Sequence, residues 1–236
     1  MIRQGLLIAA CAAVLAACAT QPPGPYAPKA LFITLDGVPA DVIEAVATPN
    51  IDAIAAIGGY ARAYVGGTIG EASQGPTKSM TGYSSLLTGT WVNKHNVRTN
   101  EVRNPNQNYW DLFRIAKAHD PAMQTALFSS WSKIRTRLLR DGVDKAGGSK
   151  LEYWFDGLDL DKEQFPQSDD RLHIKQIDSL VAADAARYIE ANGPDVSWVH
   201  LRYTDTVGHK FGDGAKFEDA VRFADSQIGV IWDAIQ

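Results

Sequence analysis

Ala30-Leu-Phe-Ile-Thr-Leu-Asp-Gly37 is a continuous apolar run that stops at an acidic residue and a glycine. A run without polar alternation suits a strand buried on both faces, as in a parallel sheet. Downstream, Thr48-Pro49-Asn50 opens a helix that continues through Ile51, Ile54 and Ile57 and stops at Gly58-Gly59. A short strand over 61–65 then leads into a Gly-rich loop. Helices follow at 79–87 and 109–118, a strand at 123–128 and a helix at 131–139. Residues 142–172 are rich in Gly and Asp, carry few periodic signals, and read as an insertion or cap. An amphipathic helix over 174–190, a strand over 196–203 and a helix over 216–235 complete the pattern. Strands alternating with helices predict an α/β fold: a doubly wound, mostly parallel sheet with helices on both faces. The last helix reaches Gln236 without a stop signal, so the domain over 30–236 is expected to be incomplete at its C-terminal side.

Upstream of the first strand the character changes. Arg3 precedes a short run of apolar and small residues from Gly5 to Ala17, too short to span a bilayer, which reads as an export signal. It ends in Leu15-Ala16-Ala17-Cys18, which resembles the lipobox at which bacterial lipoproteins are cut and acylated. An ordinary signal peptide cut near the alanines is the alternative. Residues 19–29 follow as a Pro-rich tether, so the chain is expected in the bacterial envelope, anchored through lipid on Cys18. Cys11 and Cys18 are the only two cysteines, so the body has neither a disulfide nor a thiolate ligand. Across 236 residues the formal net charge is -4 and 45% of residues are hydrophobic. That is enough to bury a large core. No strongly basic face points to a nucleic-acid partner; Lys133, Arg135, Arg137 and Arg140 read as a solvated helix face.

In open α/β sheets the site lies at the carboxyl ends of the strands. Asp36 and Asp205 both fall there. Asp205-Thr-Val-Gly-His209 pairs a carboxylate with an imidazole on a loop, a donor combination that suits zinc and similar divalent ions. Between them lies Gly75-Pro-Thr-Lys-Ser79-Met-Thr-Gly-Tyr-Ser-Ser-Leu-Leu-Thr88-Gly89, followed by His95 and Asn100.

These segments together resemble the alkaline phosphatase superfamily, and in particular its type I phosphodiesterase/nucleotide pyrophosphatase and sulfatase-like branches. The family's hydroxyl or modified-cysteine nucleophile sits nine residues before the Thr of a Thr-Gly pair, which here is Ser79 relative to Thr88. Asp36-Gly37 matches the family's first metal aspartate, Thr48-Pro-Asn50 its Thr-Pro-Asn signature, and Asp205 with His209 its Asp-x-x-Gly-His ligand pair. Five residues past the later histidine the family carries an asparagine that contacts phosphoryl oxygens, which falls on Asn100. The resemblance implies two divalent metal ions, zinc the expected identity. Asp36 and Ser79 would belong to one site, and Asp205 and His209 to the other. A small phosphate ester would be hydrolysed through a seryl-phosphate intermediate. Ser79 at a helix N-terminus would have backbone N–H groups and the positive dipole end beside it; Thr77 and Thr81 are the fallback nucleophiles.

The further Asp-His-Gly motif and final metal-binding His of such proteins are absent, which implies either a piece of a longer enzyme or a non-catalytic binding domain with a degenerate metal site. Sulfatase activity is disfavoured. The Pro and Arg needed two and four residues after the nucleophile are Thr81 and Tyr83 here, and Gly37 stands where sulfatases commonly have a second Asp. His95, His119, His173 and His200 read as structural. Trp91, Tyr109, Trp110, Trp131, Tyr153 and Trp154 read as core packing or as the lining of a substrate pocket.

Overall fold

The computed structural model describes residues 28–236; the export signal, Cys18 and nearly all of the tether lie outside the described residues. Four strands form one parallel sheet: β1 (Ala30–Leu35), β2 (Thr125–Ser129), β3 (Tyr153–Phe155) and β4 (Val196–Leu201), in the spatial order β1-β4-β2-β3. The helices are α1 (Ala40–Ala45), α2 (Pro49–Ile57), α3 (Ser79–Thr88), α4 (Val92–His95), α5 (Leu112–His119), α6 (Leu172–Asn192), α7 (Tyr203–Phe211) and α8 (Ala215–Asp233). The doubly wound expectation holds, with helices on both faces of a parallel sheet.

Period-two side-chain alternation explains the two cores. Ala126, Phe128, Val199 and Leu201 point to one face, where they meet Ile177, Val181 and Ala185 of α6 and Val221 and Ile231 of α8. Leu127 and Trp198 point to the other, against Met80, Tyr83 and Leu87 of α3 and Phe113 of α5. Burial on both faces is what β2 and β4 required of their apolar runs.

Strand β1 departs from that expectation. It pairs with β4 alone at the sheet edge, leaving Phe32 36% exposed, although its sequence is as apolar as a central strand. The expected strand over 61–65 does not form. Its residues are exposed and join no ladder, and Tyr64 stacks on Trp91 instead, with ring centroids 5.8 Å apart. The Gly- and Asp-rich stretch 142–172 supplies the fourth strand, β3, parallel to β2. The helix expected at 131–139 is a short, wide π-helical segment over Ile134–Leu139.

Two buried carboxylates lock helices to the sheet. Asp225 of α8 accepts the Asn50 side-chain amide at 2.8 Å and the backbone N–H groups of Asn50 and Ile51 at 3.3 and 2.9 Å, satisfying the orphan donors that open α2. Pro49 at the first turn needs no such partner. The Thr-Pro-Asn signature is therefore a docking device, and Gly229 makes room for it: a β-carbon there would lie 2.6 Å from Asn50 Oδ1. Asp178 does the same for α7, accepting from the backbone N–H of Arg202 at 3.1 Å, of Tyr203 at 2.8 Å, and from the Ser130 hydroxyl.

Candidate active site

Asp36 lies at the carboxyl end of β1 and Asp205 in the first turn of α7, directly after β4. The sheet brings them together. The Asp36 N–H donates to Leu201 O at 3.0 Å, and the Thr204 hydroxyl donates to Asp36 O at 2.6 Å. Gly37, at φ +73°, lets the two segments touch; a β-carbon there would lie 3.0 Å from Asp205 Cα, Cβ and Oδ1.

Asp205 and His209 sit on a helix, where a loop was expected. The capping of α7 by Asp178 starts the helix before Asp205, and i,i+4 spacing then places both side chains on one face. His209 Nε2 is 3.3 Å from Asp205 Oδ1, with the imidazole 82% exposed and the carboxylate 25% exposed. Burial and the neighbouring Asp36 charge together raise the Asp205 carboxyl above its ordinary range.

Asp36 is buried, and its Oδ2 has no hydrogen-bond partner among the described residues. Burial opposes its ionisation, but the His200, Tyr83 and Ser79 groups facing it prevail and hold its carboxyl below the usual range. Ser79 is the first helical residue of α3, and the extended residue before it is Lys78. Its hydroxyl thus meets the open N-terminal turn and the Asp36 carboxylate together. Asn100 reaches the same turn: its Oδ1 accepts the Met80 N–H at 3.1 Å. With its oxygen so engaged, the amide N–H₂ remains as a donor. Of the fallback hydroxyls, Thr81 is buried inside α3 and Thr77 is exposed on the loop.

His200 was read as merely structural, and here the structure adds a residue to the site. It is fully buried on β4, with Nδ1 3.2 Å from the Ser129 hydroxyl and Nε2 3.9 Å from Asp36 Oδ2. The sequence signal was available: His200 is the penultimate residue of the strand that delivers Asp205. His95 is a packing residue. Its Nδ1 accepts the Val97 N–H at 3.0 Å, so its Nε2–H donates to Ser85 Oγ, also at 3.0 Å. Burial, and then the Arg98 charge, lower its pKa to about 4.

The donor types at this edge fit a divalent cation. They comprise an orphaned carboxylate oxygen, a second carboxylate whose charge is disfavoured by the first, a hydroxyl and an exposed imidazole. Their number falls short, since among the described residues no group of three or more His, Cys, Asp or Glu is gathered to hold a metal ion.

Comparison with known proteins gives this arrangement a family. The family model described as type I phosphodiesterase / nucleotide pyrophosphatase matches residues 30–236. No curated protein matches. Among solved structures, the chain is similar to an inactive form of murine ectonucleotide pyrophosphatase/phosphodiesterase 5 in complex with AMP, at 14% identity and a TM-score of 0.57, covering 89% of this chain and 52% of that one. Phosphonoacetate hydrolase from Sinorhizobium meliloti in complex with phosphonoacetate is similar at 15% identity and a TM-score of 0.55, covering 88% and 54%. At such identities the likeness shows the shared α/β fold, and the chain spans about half the length of these structures. From residue 30 onward, the chain belongs to the type I phosphodiesterase / nucleotide pyrophosphatase family.

Proposed function

We propose that the complete protein hydrolyses phosphate mono- or diesters with Ser79 as nucleophile. One observation carries the reading: Ser79 opens α3 with its hydroxyl facing the buried Asp36 carboxylate, whose neighbour Gly37 packs against Asp205. The α3 N-terminus favours an incoming phosphoryl group, because its dipole and the N–H groups not taken by Asn100 present positive potential there. Ser79 Oγ gives up its proton and forms the bond to phosphorus, while the ester oxygen leaves from the opposite side and takes up a proton. A monoester gives a seryl-phosphate and an alcohol; a diester keeps its second ester group on the seryl phosphorus. Water then attacks that phosphorus and Ser79 Oγ departs, taking up a proton. Asn100 donates its amide N–H to charge growing on a non-bridging oxygen.

Asp36 and Ser79 would hold one divalent ion and Asp205 and His209 another, with the remaining ligands supplied from outside the described residues. When bound, such ions, zinc by donor type, supply Lewis acidity toward the phosphoryl group. His200 stands beside the orphaned oxygen of Asp36, its Nε2 3.9 Å from Oδ2. Export and lipid anchoring through Cys18 would place this chemistry at the bacterial envelope.

The test is Ser79→Ala in the full-length protein with bis(p-nitrophenyl) phosphate. Metal-dependent turnover should vanish in the variant, and a wild-type adduct of one p-nitrophenyl phosphoryl group on Ser79 should be trapped by mass spectrometry. Unchanged turnover in the variant would sink the reading. A second reading rests on the shortfall of ligands: a non-catalytic, envelope-anchored binding domain with a degenerate metal site. Zinc titration by calorimetry separates the two for this chain, since tight stoichiometric binding counts against a degenerate site.

A further inference from the structure

Between α3 and the β1–β4 pair, three polar atoms are buried without a partner among the described residues: Asp36 Oδ2, His200 Nε2 and Tyr83 Oη. Each side chain is at least nine-tenths buried, with exposures of 6%, 0% and 9%. The fold brings them together. In the register of β1 on β4, Thr34 pairs with His200, and Asp36 follows two residues later on the same face of the sheet. His200 Nε2 is consequently 3.9 Å from Asp36 Oδ2. Tyr83 covers them from α3. Its ring lies edge-on to His200 at 84°, with centroids 5.3 Å apart, and packs in the same way on Trp198 at 5.6 Å. Tyr83 also stands four residues after Ser79, on the same face of the helix. Against burial, His200, Tyr83 and Ser79 hold the Asp36 carboxyl low; burial and then the Asp36 charge raise the Tyr83 hydroxyl.

These atoms are short of hydrogens. The Ser129 hydroxyl donates to Trp131 O at 3.0 Å, so in its 3.2 Å contact with His200 Nδ1 it is the acceptor. The imidazole proton therefore sits on Nδ1, and Nε2 turns a bare lone pair toward a carboxylate oxygen. Two acceptors 3.9 Å apart repel, and the single Tyr83 O–H cannot serve both. The neighbours have no donor to spare: Trp198 Nε1–H donates to Thr34 Oγ1 at 3.0 Å, and the Thr34 hydroxyl donates to Val199 O at 3.4 Å. A water molecule brings two donors and accepts one, which closes the count. Three polar partners are what buried waters ordinarily have, and polar atoms more than about 3.5 Å apart are the kind a water bridges.

We propose that Tyr83 and His200 position Asp36 through one buried water, which accepts the Tyr83 O–H and donates to Asp36 Oδ2 and His200 Nε2. The water fixes the Asp36 carboxylate and ties it to the helix that carries Ser79, so aspartate and nucleophile keep one geometry. Tyr83 and His200 are thus positioning residues for phosphoryl transfer. That role rests on the phosphoesterase reading; the water site itself does not.

Two measurements on the full-length protein without added metal read the site apart from turnover. Heteronuclear NMR of the imidazole nitrogens, with the His200 signal assigned by its loss in His200→Gln, should show a proton on Nδ1 only and Nε2 accepting a hydrogen bond. A crystal structure should show a water in contact with Asp36 Oδ2, His200 Nε2 and Tyr83 Oη. Tyr83→Phe keeps the ring that packs on Trp198 and His200 and removes only the O–H. With metal and bis(p-nitrophenyl) phosphate its kcat should fall about tenfold while KM changes little, the loss expected for one hydrogen bond to a charged network. A proton on Nε2, in the other tautomer or in an imidazolium, would overturn the proposal. So would a metal ion in place of the water, no ordered water among the three atoms, or an unchanged kcat in folded Tyr83→Phe. If that variant does not fold, the wild-type spectrum and crystal structure still decide. Wild-type protein that turns over no ester, yet shows the Nδ1–H imidazole and the water on all three atoms, would sink the reaction and leave the site standing.

Discussion

Gly37→Ala should be the most informative single change near the site, because two separate penalties fall on it. The backbone there is left-handed at φ +73°, which costs an alanine about 1–2 kcal/mol. The new β-carbon would also meet Asp205 Cα, Cβ and Oδ1 at 3.0 Å. Asp205 cannot easily yield, since the α7 turn that carries it is held by Asp178 through the N–H groups of Arg202 and Tyr203. Overpacking of this kind adds about 1–3 kcal/mol. The expected sum, about 2–5 kcal/mol, is a large part of a typical domain's stability of about 5–15 kcal/mol. Gly193→Ala is the control: φ is +50° but no heavy atom lies within 4 Å of its β-carbon, so it bears the conformational cost alone. Urea unfolding of both variants, with m-values checked for constancy, isolates the steric part. If the two cost the same, the close approach of β1 to Asp205 is wrong, and so is the adjacency of the two carboxylates.

Three further outcomes follow from the contacts. Gly229→Ala should destabilise by about 1–3 kcal/mol through the collision with Asn50. In an Asn50→Ala background much of that cost should disappear, a coupling of about 1 kcal/mol in a double-mutant cycle; strict additivity would refute the docking role of the Thr-Pro-Asn segment. Asp178→Ala leaves the Arg202 and Tyr203 N–H groups unmatched and the Ser130 hydroxyl with His200 O alone, and should cost about 2–3 kcal/mol in chemical denaturation. His95 titrates at about 4 when folded against an ordinary 6.5. Between those values the unfolded chain binds the extra proton, so stability is intact above about pH 6.5 and falls as pH drops toward 4, by up to about 3 kcal/mol. His95→Gln should flatten that part of the profile measured by unfolding at stepped pH; an unchanged slope assigns the acid sensitivity elsewhere.

The sheet and its helices were legible because β2 and β4 are buried on both faces and their composition says so. Strand β1 carries the same composition but lies at the edge of the described sheet, and no local signal separates a central strand from an edge strand. The false strand over 61–65 fails for a related reason. Its residues have strand propensity, but a ladder needs a partner, and β-propensity reports fit to a packed, pleated surface more than a backbone preference. Asp205 and His209 were correctly paired and misplaced on a loop, since the helix that holds them is started by Asp178, which lies in a different helix far back in the chain. His200 was missed because its value comes from the Asp36 side chain across the sheet, a contact that exists only in three dimensions.

The two aspartates illustrate why such a site must be built by the fold before any ligand arrives. Left to themselves, adjacent carboxylates repel: burial and then the Asp36 charge raise Asp205, while His200, Tyr83 and Ser79 hold Asp36 low. What holds them together is not attraction between them but backbone: the Asp36 N–H on β4, the Thr204 hydroxyl on Asp36 O, and a glycine with no side chain to keep them apart. Each of these is anchored in turn by buried apolar residues of β4 or by Asp178. A cation or a phosphoryl group arriving at this edge therefore meets charge already in position, and the cost of assembling it has been met by the packing of the sheet.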